Sequence, residues 1–148
     1  MNDYTLIFPN DANAWQAYHD IRRVVLFEAR GQFGVYNPNL ADDRLPNHHA
    51  KLLLLGNDPV GVVRIDIDGE TAILRRVAIR GDVQRRGHGR ALIGLAEKFA
   101  QAHGCTQLAS HVALDAEGFY QKCGFMVVER EPESVLMSKA VATKERRP

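Results

Sequence analysis

The sequence predicts an α/β (α+β) domain built on a mixed, mostly antiparallel sheet of about six or seven strands, with helices on both faces. Three observations lead there. Between Lys51 and Ile79, three apolar strand-like runs are separated by Gly56-Asn57-Asp58-Pro59 and by Asp68-Gly69, the pattern of an antiparallel meander. From Ile79 to Val112 the pattern becomes strand, helix, strand, and such a crossover joins parallel neighbours. A second amphipathic helix precedes the meander, so the sheet has helices to pack on either side.

The elements follow in order. Tyr4 to Phe8 alternates weakly and reads as a first strand. Pro9-Asn10-Asp11 stops it and offers a helix cap. Trp15, Tyr18, Ile21, Val25 and Leu26 recur at helical spacing, which predicts a helix over about 12–29, closed by Gly31. Residues 31–47 lack periodicity and are rich in Gly, Pro, Asn and Asp, so they read as a long loop with room for one helical turn. The meander strands are Lys51 to Leu55, Val60 to Ile67 and Thr71 to Ile79. Leu92, Ile93, Leu95, Ala96, Phe99 and Ala100 mark an amphipathic helix from Gly87 to His103, ended by Gly104. Thr106 to Val112 is a strand and Asp115 to Lys122 a short helix. Phe125 to Glu129 and Val135 to Lys139 close the sheet.

The length of 148 residues suits one domain, expected over 1–142, followed by a polar tail from 143 to 148. A formal net charge of +1 gives no bulk electrostatic case for nucleic acid or an anionic membrane. No apolar run approaches the ~20 residues of a membrane span, and Met1-Asn2-Asp3-Tyr4 does not resemble a signal sequence, so a cytoplasmic location is expected. Cys105 and Cys123 match no metal or redox spacing and read as free thiols. Adjacent His48-His49 rarely ligate one ion, so no metal site is expected.

The segment richest in chemistry runs from Leu74 to Leu92. A strand enters a basic, glycine-containing turn that opens a helix. Glycine lets backbone approach a ligand, and the first N–H groups of a helix are unpaired and partly positive, so the turn suits an anion such as phosphate. Arg85, Arg86 and Arg90 add charge. The phosphate loop of NTPases does not fit, because no G-x-x-x-x-G-K-[ST] is present. A dinucleotide fingerprint does not fit either, because Leu92 stands where the third glycine would be.

Gln84-Arg85-Arg86-Gly87-His88-Gly89, directly after an Arg76-Val77-Ala78-Ile79 strand, resembles the Q/R-x-x-G-x-G/A signature of the GNAT N-acetyltransferases. Downstream, Ala116-Glu117-Gly118-Phe119-Tyr120-Gln121-Lys122-Cys123-Gly124-Phe125 resembles that family's second motif, A-x-x-F-Y-x-K-x-G-F. The two stand in the family's order, and the element order is similar along nearly the whole chain. Arg23 to Gly31, with Glu28, resembles a helix of small single-domain bacterial members.

The resemblance implies acetyl-CoA as co-substrate and no metal. It implies that the strand before the turn bulges away from its parallel neighbour, leaving backbone groups of Val77 and Ile79 to pair with pantetheine. The pyrophosphate would take N–H groups of Gln84, Arg85, Arg86, Gly87, His88, Gly89 and Arg90, with glycine at 87 and 89 to leave the phosphates room. Tyr120 is the implied acid that protonates the departing thiolate. Phe119 and Phe125 are expected in the core. For the base that frees the amine, His111 is one candidate, since imidazole is a usual proton shuttle near neutral pH; Glu28, Asp66, Glu70 or a water relay are others. The expected activity is N-acetylation of a small-molecule or peptide amine. A non-catalytic acyl-CoA sensor and a transferase for another acyl group are the alternatives, and a homodimer is compatible with the family.

Overall fold

The structure, a computed structural model, describes residues 3–142; the expected tail from 143 lies outside them. Seven strands form one sheet: β1 (Tyr4–Ile7), β2 (His48–Leu55), β3 (Asp58–Asp68), β4 (Thr71–Ile79), β5 (Gln107–Ala113), β6 (Met126–Arg130) and β7 (Ser134–Ala140). Their spatial order is β1-β2-β3-β4-β5-β7-β6. Only the β4–β5 pair is parallel, as the crossover requires. That crossover is helix α2 (His88–Ala102). Helix α1 (Ala12–Ile21) precedes the meander, and α3 (Glu117–Lys122) follows β5.

The period-two alternation of the strands separates two cores. Leu53, Val63 and Ile65 turn to one face and meet Leu92, Ile93, Ala96 and Ala100 of α2, with Tyr120 of α3 in the same cluster. Leu52 and Val62, one residue away, turn to the other face and meet Tyr18 and Ile21 of α1. Helices therefore cover both faces.

Several boundaries differ from the sequence reading, and three of the differences have a clear local reason. The helix expected over 12–29 starts where Asp11 Oδ1 accepts from the Ala14 N–H at 2.8 Å. After Ile21 it widens into a π-helix over Arg22–Phe27, then tightens to a 3₁₀ turn over Glu28–Arg30. Gly31 ends it in the left-handed region at φ 82°. Strand β2 begins at His48 rather than Lys51, because His48, His49 and Ala50 still pair with Asp66, Ile65 and Arg64. The turn before β3 is only Gly56-Asn57, and Pro59 lies inside the strand. A register shift between Leu53 and Leu54 leaves a bulge beside Pro59, where its missing N–H is tolerated. Among the described residues no helix is long and apolar enough to cross a membrane.

Candidate active site

The site begins with a mismatch in β4. Arg75-Arg76 puts two charged residues in succession where alternation would bury one. The strand resolves this with a bulge. Val62 pairs with Ala78 and Arg64 with Arg75, so Arg76 and Val77 together stand opposite Val63. Arg76 takes the left-handed conformation, φ 57°, uncommon for a non-glycine residue. Beyond the bulge β4 leaves its parallel neighbour: the β4–β5 ladder runs only from Thr71–Gln107 to Leu74–Ser110, while β5 stays paired with β7 through Ala113.

The bonding pattern shows what faces the resulting gap. The Arg80 N–H donates to the Val60 carbonyl at 2.8 Å, toward β3. Backbone groups alternate sides along an extended strand, so those of Val77 and Ile79 point the other way, into the gap. Gln84 Nε2 donates to the Ile79 carbonyl at 2.9 Å, tying the following turn to this edge.

That turn is a 3₁₀ segment, Gly81–Val83, followed by two left-handed residues, Arg85 at φ 67° and Gly87 at φ 87°. The first bond into α2 runs from the Ala91 N–H to the Gly87 carbonyl at 3.1 Å, so the N–H groups of His88, Gly89 and Arg90 precede the helical ladder. Arg85, Arg86 and Arg90 are exposed beside them. The His88 ring turns inward and is 5% exposed, with Nδ1 hydrogen-bonded to the Tyr4 hydroxyl at 2.6 Å. Only its backbone can serve an anion, and its side chain anchors the start of α2 to β1. A Cβ on Gly89 would lie 3.0 Å from Phe119 Cζ, so that glycine makes room for an aromatic ring. Phe119, expected in the core, is 36% exposed against this first turn, whereas Phe125 is buried.

A cavity of about 480 Å³ opens at the gap. Tyr120, 7% exposed, lines it together with Val77 of β4 and Ser110, Val112 and Ala113 of β5. Burial is the main reason the Tyr120 phenol is pushed up to about 12, so it is protonated at neutral pH. Burial likewise raises the neighbouring Cys123 thiol, which makes it a poor nucleophile. Leu26 and Arg30, from the helical run after α1, line the same cavity. Because α1 and α3 lie on opposite faces, the cavity passes through the sheet where β4 and β5 part.

His111 reaches this cavity and hydrogen-bonds Glu131 through Nδ1 at 3.1 Å. The other candidate bases are engaged elsewhere. Glu28 pairs with Arg23 at 2.9 Å, Glu70 accepts from the Thr106 hydroxyl at 3.1 Å, and Asp66 pairs with Arg64 at 2.8 Å. His48 contacts Asp66 at 3.4 Å, while His49 packs on Phe99, so the adjacent histidines turn to opposite sides of β2. The helix that ends at Arg30 is expected from the sequence to shape the acceptor pocket, and Arg30 does line it; sequence reading missed Arg76, Ser110 and Glu133 in the cavity wall. Arg75-Arg76 was the available signal, since paired charges in an apolar strand call for a bulge. It also missed a buried ionic network. Asp43, in a 3₁₀ turn of the long loop, pairs with Arg22 at 3.0 Å and Arg64 at 2.8 Å.

Known proteins fit this arrangement. The family model described as "Acetyltransferase (GNAT) family" matches residues 14–125. YyaT, an uncharacterized protein of Bacillus subtilis, is 33% identical over 91 residues, covering 58% of this chain and 62% of that protein. The matched segment thus spans less than two thirds of that relative. A candidate N-acetyltransferase from Lactobacillus plantarum superposes with a TM-score of 0.79 at 26% identity, over 95% of this chain and 100% of that one. An aminoglycoside 6′-N-acetyltransferase complexed with coenzyme A superposes with a TM-score of 0.80 over 97% and 99% of the two chains. At 13% identity that likeness concerns the fold. With both the bulged, parted strands and a family match over most of its length, the chain belongs to the GNAT acetyltransferase family.

Proposed function

We propose that the protein transfers an acetyl group from acetyl-CoA to a primary amine by direct attack of the amine on the thioester. The observation that carries this reading is the parting of β4 and β5, which leaves the backbone groups of Val77 and Ile79 without a strand partner and opens onto Tyr120. An extended pantetheine fits such an edge, because it can supply the amide partners a further strand would supply. N–H groups of Gln84, Arg85, Arg86, Gly87, His88, Gly89 and Arg90 would hold the pyrophosphate, as a helix N-terminus favours an anion. The exposed guanidiniums of Arg85, Arg86 and Arg90 add charge there.

The bound thioester supplies the acyl group; the remaining roles fall to side chains of the chain. Tyr120 keeps its proton at neutral pH and would donate it to the sulfur as the carbon–sulfur bond breaks. The same burial that raises its pKa also makes a nearby thiolate more basic, as the raised Cys123 thiol illustrates. His111, turned by its bond to Glu131, lies in the same cavity and could take the ammonium proton. A sensor would need the CoA edge but no buried proton donor, so Tyr120 favours catalysis.

The test is release of free CoA thiol from acetyl-CoA with a panel of primary amines. Amine-dependent release, with the acetylated amine recovered, is the expected result. CoA binding without turnover on any amine would favour the sensor.

A further inference from the structure

The cavity has a charge pattern that acyl transfer alone does not require. Arg30 and Arg76 line it, and among the described residues neither pairs with a carboxylate. Most other arginines of this fold do: Arg22, Arg23, Arg64, Arg75, Arg80 and Arg130 are all ion-paired. Arg76 is held in place by the bulge and by Phe27, whose ring lies 5.3 Å from its guanidinium. That contact puts the Arg76 head on the α1 face of the sheet. The turn that opens α2 serves the opposite face, so Arg76 is poorly placed for the pyrophosphate. Partial burial, followed by the neighbouring charges of Arg22 and Arg30, lowers the Arg76 pKa.

Acidic groups stand at the other side. In the sheet β5 lies between β4 and β7, and Glu133 and Ser134, where β7 begins, line the wall across from Arg76. Glu133 makes no ion pair among the described residues, and Glu131 bonds His111 nearby. One rim therefore presents two unpaired guanidiniums and the other a carboxylate. A plain alkylamine would use only the acidic rim and leave the two exposed guanidiniums to water.

We infer that the acceptor is an amine that also carries an oxyanion, a carboxylate or a phosphate, which Arg30 and Arg76 bind while Glu133 faces its ammonium. A guanidinium matches both oxyanions through paired N–H donors. The inference rests on the transferase reading above, and it names the acceptor class of that same site.

Matched acceptors test it: amino acids, the amines left when their carboxylate is removed, and aminoalkyl phosphates. The oxyanion-bearing member should show a kcat/KM higher by about tenfold or more, the scale of a charge-assisted hydrogen bond. Whether carboxylates or phosphates lead identifies the oxyanion. Arg76→Gln and, separately, Arg30→Gln should shrink that preference, with the KM for acetyl-CoA moving far less. Arg30 lies at an exposed helix end, so its variant keeps the test open if the bulge tolerates no change at Arg76. Equal turnover within the pairs, or a preference that survives both variants, overturns the inference. If no acceptor turns over, N-acetyl amino acids and acetylated aminoalkyl phosphates are titrated into the CoA-saturated protein. A rise in Tm that is lost in Arg30→Gln supports the site, and no rise with any of them overturns it. Failure of CoA itself to raise Tm would instead sink the transferase reading.

Discussion

Tyr120 is the residue proposed to protonate the departing thiolate. Tyr120→Phe keeps the ring packed against Phe119 and Phe125 and removes only the hydroxyl. If that hydroxyl donates the proton, kcat should fall by about 10²-fold while acetyl-CoA affinity changes little. Turnover within about threefold of the parent would retire it as the acid. Burial also moves the expected pH behaviour. The sequence alone suggests an alkaline limb near the ordinary tyrosine value of ~10; with the phenol pushed up to about 12, that limb should lie higher. Because the folded pKa is raised, the associated stability is whole below pH ~10 and is lost as pH climbs toward 12. Melting the parent and the Phe variant between pH 9 and 11 should show the parent losing Tm faster. At Gly89 the limit is steric as well as electrostatic. Gly89→Ala needs the half-exposed Phe119 ring to tip away and should cost under ~1 kcal/mol. Gly89→Glu adds a carboxylate to the start of α2 and should raise the Kd for CoA at least tenfold by calorimetry.

Among the elements, the meander, the crossover helix and both motif segments were legible, because periodicity and turn residues act locally. Thr71 to Ile79 came out with its observed limits. What was not legible depends on contacts distant in sequence. The π-helix over Arg22–Phe27 has no local stop signal; within it Arg22 is buried beside Asp43, 21 residues away. The same network fixes the long loop. Burial pushes the Asp43 carboxyl up, but Arg22 and Arg64 together outweigh it and hold it below the usual range. A depressed carboxyl pKa stabilises the fold above pH ~4 and stops doing so as pH falls further. Asp43→Ala would leave the buried Arg22 guanidinium without an anion, while Arg64 keeps Asp66, and should cost about 3 kcal/mol by denaturant unfolding. A loss below ~1 kcal/mol would mean that the loop is not pinned there. The candidate site was half legible for the same reason: Val77, Gly87 and Tyr120 belong to local motifs, whereas Arg30 and Glu133 join the cavity only through the tertiary fold.

At the scale of the whole molecule, one sheet is left incomplete on purpose. β5 remains paired with β7 to its end, and β4 leaves β5 beyond a bulge at the Arg75-Arg76 pair. The slot this leaves joins the two faces, with the turn proposed to hold the pyrophosphate and Tyr120 on one and Arg30 on the other. Amide hydrogen exchange with and without saturating CoA tests that claim most directly, since it reads the backbone groups assigned to the slot. Protection should rise at Val77 and Ile79 and across Arg85 to Arg90, and stay unchanged in β1 and β2. Protection confined to other segments, or none at CoA concentrations that raise Tm, would contradict it.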